Sequence, residues 1–231
     1  MYSVVILSRD ATNLERCVTA ALEAEHPSLS SQHIIVLDDD EETGAVKKIC
    51  TRFNLTRIVG EKPFIFARNA NAGLRHAFER HNHDYAVLLN DDALLMTQNG
   101  FRVLVSQGMS NPQYGVLASC TNSVGNANQL PQGCSHIRRE YRTLCFVCVM
   151  ISKACWQTIG PLDERYVDYG VEDGDYSYRV RLGGMRLGVV DHCYVDHGQL
   201  KSTFRSVGGG RSFAKNRKIF EEKWGFAYES Q

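Results

Sequence analysis

Apolar residues fall in short unbroken runs separated by polar stretches with helical spacing. SVVIL (3–7), HIIVL (33–37), LTRIV (55–59) and DYAVLL (84–89) have the length and β-branched content of strands. Between them, Leu14, Val18 and Leu22 recur at a helical interval behind a cap at Thr12 or Asn13. The polar stretch 41–53 can carry a second helix, and 69–80 reads as a third. Strands alternating with helices predict right-handed crossovers, hence an α/β fold whose mainly parallel central sheet carries helices on both faces.

The second half is less regular. The pattern predicts a helix over 98–107, a strand over 114–119 and a long Asn-, Gly- and Gln-rich loop over 121–136. A buried strand over 142–152, a short helix ended by Gly160 and a helix over 171–184 closed by two glycines follow. Residues 185–190 and 193–197 read as two short strands. An acidic block (163–196) precedes a basic one (201–223).

Composition narrows the chemistry. The 231 residues carry 26 basic and 26 acidic side chains, so the chain lacks the net positive field of a dedicated nucleic-acid binder. No stretch approaches the roughly 20 apolar residues of a membrane span, and the start resembles no signal peptide. A soluble, cytoplasmic protein is expected, with its eight scattered cysteines reduced and buried. Cys145 and Cys148 form a C-x-x-C, which its apolar surroundings assign to a core strand rather than to metal or redox use.

The strand ends carry the candidate chemistry. In an open α/β sheet, ligands bind beyond the carboxyl ends of the strands. Three of the four early strands end in Ser8, Arg9 and Asp10; in Asp38, Asp39 and Asp40; and in Asn90, Asp91 and Asp92. So many carboxylates at one edge repel one another unless a cation or hydrogen-bonding ligand joins them. Oxygen donors without cysteine point to Mg²⁺ or Mn²⁺, the ions that bridge to substrate phosphates. Any one of these aspartates can instead cap a turn. Neither a P-loop nor a G-x-G-x-x-G follows the first strand, so a bound diphosphate must be held by metal and side chains.

In this order, VVILSRD, IIVLDDD, ARNANAGLRHA, LLNDDALL, GPLDERYVDYGVEDGDYSYRVRLGG, VDHG and NRKIFEEKWG resemble an inverting, nucleotide-sugar-dependent glycosyltransferase of family 2 with the GT-A (Rossmann-like) fold. The resemblance implies one domain over 1–231: a donor half (1–97), an acceptor and catalytic half (98–200) and a basic segment (201–231) that can act as a lid about Gly208, Gly209 and Gly210. It implies that Ser8, Asp10, Asp38, Arg68 and Asp91 contact the nucleotide sugar and that Asp92 and His197 hold Mn²⁺ or Mg²⁺. Asp173 would be the general base toward an acceptor hydroxyl and Glu172 a positioning group. Asn90 stands where the family's D-x-D motif has its first aspartate, which shifts weight to Asp92. Loops 120–139 and 161–170 are the expected acceptor region. The acceptor would be a glycan or another hydroxyl compound, with nucleic acid entering only as a modified acceptor.

Other classes remain open at this level. A silent glycan- or nucleotide-sugar-binding module would keep the pocket without transfer, and a nucleotidyltransferase shares architecture and metal but shows a Gly-rich loop absent here. A metal-dependent phosphodiesterase could use the same aspartates, and His81-Asn82-His83 looks superficially nuclease-like.

Overall fold

A computed structural model of the chain describes residues 1–199 and 209–228. The first half follows the predicted alternation: β1 (Tyr2–Ser8), α1 (Ala11–Glu25), β2 (Ile34–Asp38), α2 (Ala45–Phe53), β3 (Thr56–Val59), α3 (Phe66–Arg75) and β4 (Tyr85–Asn90). A π-helical turn, His76–Arg80, continues α3. The second half holds β5 (Leu94–Leu95), α4 (Gly100–Ser110), β6 (Tyr114–Thr121), β7 (Arg138–Glu140), β8 (Cys148–Ser152), α5 (Lys153–Ile159), α6 (Glu172–Leu182), β9 (Arg186–Asp196) and α7 (Gly209–Trp224).

All nine strands join one sheet in the order β3-β2-β1-β4-β8-β6-β9-β5, with β7 also on β9. The pairs β3/β2, β2/β1, β1/β4 and β6/β9 are parallel. Strand β8 runs antiparallel between β4 and β6. The fold is therefore mixed α/β with a mostly parallel sheet between helices. Alternate residues serve its two faces: Val4, Ile6, Val87 and Leu89 in one apolar cluster, Val5, Leu7, Ala86 and Leu88 in the other. Burial on both faces is why these strands are unbroken apolar runs rather than alternating ones. Gly73 lets α3 lie against the sheet, since a Cβ there would sit 2.3 Å from Val5 Cγ1.

Two second-half expectations are corrected. The strand expected over 142–152 begins only at Cys148, so Cys145 lies in the preceding loop rather than in a core strand. Side chains hold that loop: Asn126 Nδ2 donates to the Thr143 carbonyl, Gln129 Nε2 to the Cys145 carbonyl, and the Cys145 amide to Gln129 Oε1. The strands expected over 185–190 and 193–197 are one, β9, with an irregularity where Ser119 pairs with Val190 but Cys120 with Tyr194. The unpaired interval contains Asp191, whose buried carboxylate binds Arg138 and the amides of Gln132 and Cys134 and so fixes the long loop. The short β5 and β7 carry too few residues for a periodic signal. The expected lid falls partly on residues 200–208, outside the described residues; Gly209 and Gly210 open α7.

Candidate active site

A cavity of about 670 Å³ opens beyond the carboxyl ends of β1 and β4. Its wall includes Asn90, Asp91 and Asp92 after β4, Glu172 and Asp173 at the start of α6, and His197 after β9. Five of the nine expected site residues therefore share one space, although His197 is 105 residues from Asp92 in sequence.

The three acidic strand ends have separate fates. After β1, Asp10 caps α1, its carboxylate accepting from the amides of Thr12 and Asn13. After β2 the protein supplies its own cations: Asp38 pairs with Arg57 at 2.6 Å and accepts from the Asp40 amide. Asp39 pairs with Arg9 at 2.8 Å and Lys62 at 2.6 Å. Only the aspartates after β4 face the cavity. Ser8, Asp10, Asp38 and Arg68 are not among its lining residues. Ser8 still reaches it indirectly, donating to Asp91 Oδ2 at 2.7 Å. Arg68 lies between Glu61 and Glu164, at 3.5 and 3.9 Å.

Asp91 is buried, and loss of solvent with the neighbouring Asp92 and Asp10 charges pushes its carboxyl up to about 7, against the Ser8 hydrogen bond. Asp92 meets His197, whose Nε2 lies 3.1 Å from Asp92 Oδ1. On the far side of the ring, His197 Nδ1 lies 2.6 Å from the Ser123 carbonyl, which can only accept. The Nδ1 proton is thereby fixed, and a neutral ring turns the Nε2 lone pair toward a carboxylate. Two acceptors at that separation need a cation between them, either a proton or a metal. With a proton, burial opposes the charge but the Asp92 contact outweighs it and lifts the imidazole above its ordinary value. Among the described residues no group of three or more His, Cys, Asp or Glu is arranged to hold a metal. A two-ligand set suits Mg²⁺ or Mn²⁺, which keep positions for water and phosphate oxygens.

The acidic residues opening α6 divide likewise. Asp175 is fully buried and bound by Arg179, Lys223, Tyr166 and the Trp224 indole N–H, tying α6 to α7. Glu172 and Asp173 face the cavity. Asp173 Oδ1 accepts from the Gly174 amide at 2.8 Å. Glu172 Oε2 is buried with no hydrogen-bond partner. Desolvation raises both carboxyls, and mutual repulsion raises Glu172 further. The entry to α6 is strained, because Val171 takes φ of 79°, sparsely allowed for a β-branched residue. Asn216 of α7 holds that entry by donating to the carbonyls of Val167 and Gly170.

The rest of the wall was not named residue by residue from the sequence, although Asn126 and Tyr169 fall in the loops 120–139 and 161–170 expected to meet the acceptor. Asn126 comes from the long loop, Glu140 from β7, Arg142 and Cys145 from the loop before β8, Tyr169 from the loop before α6, and Phe213 and Tyr228 from the C-terminal segment. Burial, with the nearby Asp173 charge, pushes the Cys145 thiol up to about 12, which disfavours its thiolate. The nuclease-like His81 and His83 lie at the opposite, amino-terminal edge of the sheet, both within 3.0 Å of Ser3 Oγ on β1.

Comparison with known proteins agrees with this geometry. No curated protein sequence matches the chain. Among solved structures it is similar to GalNAc-T7 with UDP, GalNAc and Mn²⁺, at TM-score 0.74 and 16% identity, covering 99% of this chain and 49% of that one. It is also similar to a mannosyltransferase from Pyrobaculum calidifontis in complex with GDP-Man and Mn²⁺, at TM-score 0.67 and 14% identity, covering 89% and 59%. The 1–349 fragment of S. aureus TarS follows at TM-score 0.59 and 15% identity, covering 84% and 59%. The chain spans about half to three fifths of the length of these proteins, and the likeness establishes a GT-A fold. The model of "Glycosyl transferase family 2" matches residues 3–147, from the first strand to the loop before β8. With well over half its length matched, the chain belongs to glycosyl transferase family 2.

Proposed function

We propose that the protein transfers a sugar from a nucleotide-diphosphate sugar to an acceptor hydroxyl, most simply a glycan's, with inversion at the anomeric carbon. The carrying observation is that Asp91, Asp92 and His197 share one cavity with Glu172 and Asp173. Three crystal structures sharing the fold hold UDP or GDP-mannose, two of them with Mn²⁺, which favours the same donor class here.

The residues divide the work. Asp92 and His197 would hold Mn²⁺ or Mg²⁺, an ion that offsets charge on a leaving diphosphate. Asp91, fixed by Ser8, faces the donor. Asp38 with its Arg57 partner, Asp10 as the α1 cap and Arg68 shape the nucleotide side from behind. Asp173 accepts the proton of the acceptor hydroxyl as its oxygen attacks the anomeric carbon and the nucleotide diphosphate departs from the opposite face. A single displacement of this kind needs one base and inverts configuration. Desolvation makes Asp173 a stronger base than a solvated carboxylate. The unpartnered Glu172 oxygen is free to accept a hydrogen bond from a substrate hydroxyl and orient it.

The test is a thermal-shift series with UDP, GDP, dTDP, CDP and ADP, each with Mn²⁺, Mg²⁺ or chelator, on wild type and Asp92→Asn. A ligand at about 100 times its Kd adds about 2.7 kcal/mol. The expected result is a metal-dependent shift with one base, lost in Asp92→Asn. No shift with any diphosphate overturns the donor class.

A further inference from the structure

Two rings on the cavity wall belong to a part of the chain beyond the family match, and the glycines beneath them show how closely they are seated. Gly174 lies in the first turn of α6, beside Asp173. Its backbone carries the Tyr228 ring: a Cβ there would lie 2.4 Å from Tyr228 Cε2 and 2.5 Å from its hydroxyl oxygen. Gly170, just before the helix, stands the same way under Phe213, at 2.9 Å from Cδ2. An aromatic ring thus occupies the space next to Asp173. The two rings meet edge to face at 5.9 Å and 86°, and Tyr228 meets Phe220 in the same manner at 5.2 Å. Locked from two sides, Tyr228 forms a rigid wall of the cavity that holds Asp173. Burial and the nearby Asp173 and Glu172 charges keep its phenol protonated.

Asn126, Glu140 and Arg142 also line this cavity, and Tyr228 reaches their loop through a side-chain contact with Thr143. Glu140 is held in place by Asn126, Asn128 and the amides of Tyr141 and Arg142. Aromatic rings and polar side chains lining one cavity match one chemical shape well: a pyranose, with ring C–H groups on its faces and hydroxyls around its rim. The geometry points to Tyr228, supported by Phe213, as the stacking platform for the pyranose ring of the acceptor, holding it so that a rim hydroxyl meets Asp173.

Tyr228 is thus a positioning residue for acceptor specificity, and the assignment rests on the transferase reading above. The acceptor would be a glycoside whose attacked hydroxyl sits on a pyranose, rather than a flexible alcohol or a phosphate ester.

The experiment is saturation-transfer NMR with a mixture of methyl pyranosides (glucoside, galactoside, mannoside, N-acetylglucosaminide and rhamnoside), without and with UDP or GDP plus Mg²⁺. Wild type, Tyr228→Phe and Tyr228→Leu are compared. At least one pyranoside is expected to bind wild type, with saturation strongest on its ring C–H protons. Tyr228→Phe keeps that affinity within about twofold, whereas Tyr228→Leu, which preserves apolar bulk but not the ring, loses about tenfold. Nucleotide binding is unchanged in both. Phe213→Leu repeats the comparison if Tyr228→Leu fails to fold. No pyranoside binding to wild type, or equal binding to the leucine variants, overturns the platform. Failure of nucleotides to bind wild type counts against the donor reading alone, because pyranoside contact is read without them.

Discussion

Asp91 and Asp92 end a strand, Glu172 and Asp173 begin a helix, and both pairs face the same cavity, yet the protein treats them oppositely. The strand pair is tied down: Ser8 donates to Asp91, and His197 faces Asp92 with its proton fixed on Ser123. The helix pair is left hungry, with one Glu172 oxygen unpartnered and Asp173 held mainly by the Gly174 amide. A carboxylate that binds a cation gains from a fixed position, since every ångström of misplacement weakens the contact. One that must take up a proton gains from poor solvation together with an unoccupied oxygen; desolvation alone does not separate the pairs, because it lifts Asp91 as well. Identical chemical groups are set to different tasks by what surrounds them.

The contrast is broken most sharply by Asp173→Asn. Transfer is expected to fall by about 10²–10⁴-fold with nucleotide affinity intact, as seen by comparing turnover with nucleotide titration. In wild type the rate falls as pH drops and Asp173 is protonated. Because burial raises this carboxyl, the acid limb lies above the ordinary carboxylate range, and it disappears in the variant. On the strand side, His197→Ala should weaken metal-supported nucleotide binding by about 10–100-fold while leaving metal-free binding unchanged, as calorimetry with and without chelator will read. Ser8→Ala removes the donor to a buried carboxylate and should cost about 1.5–3 kcal/mol in urea unfolding, with the Asp91 carboxyl rising further above about 7.

The smallest effect lies at the far edge of the sheet. Burial, with neighbouring His33 and His81, lowers the His83 imidazole to about 4. A base whose folded value is depressed stabilises the fold fully above its unfolded value, and that stability drains as pH falls through the ordinary histidine range toward the folded value. Melting between about pH 7.5 and pH 5 should therefore lose a few more degrees in wild type than in His83→Asn. Equal losses would place the acid sensitivity elsewhere.

How much of this was legible in the sequence depended on how locally each feature is encoded. Strands β1, β2 and β4 are continuous apolar runs because both their faces are buried, and the polar residues ending them mark the ligand edge directly. That Asp38 and Asp39 are neutralised away from the cavity was not readable, because Arg57 and Lys62 stand 19 and 23 residues away from them. The loop 142–147 looked like strand because it is apolar, but Asn126 and Gln129 claim its backbone. Phe213 and Tyr228 left no local sign beyond being aromatic. Their role depends on the space left at Gly170 and Gly174, which nothing local marks as the seat of a ring.

The pairing of Asp92 with His197 also sets an order of assembly. Ribosomes add about 5–20 residues per second, so the 105 residues between these partners take roughly 5–20 seconds to emerge. For that interval the nascent chain can build β1, β2, β3 and β4 but cannot complete the Asp92–His197 pair, and under the proposed assignment an ion met early would find half its ligands.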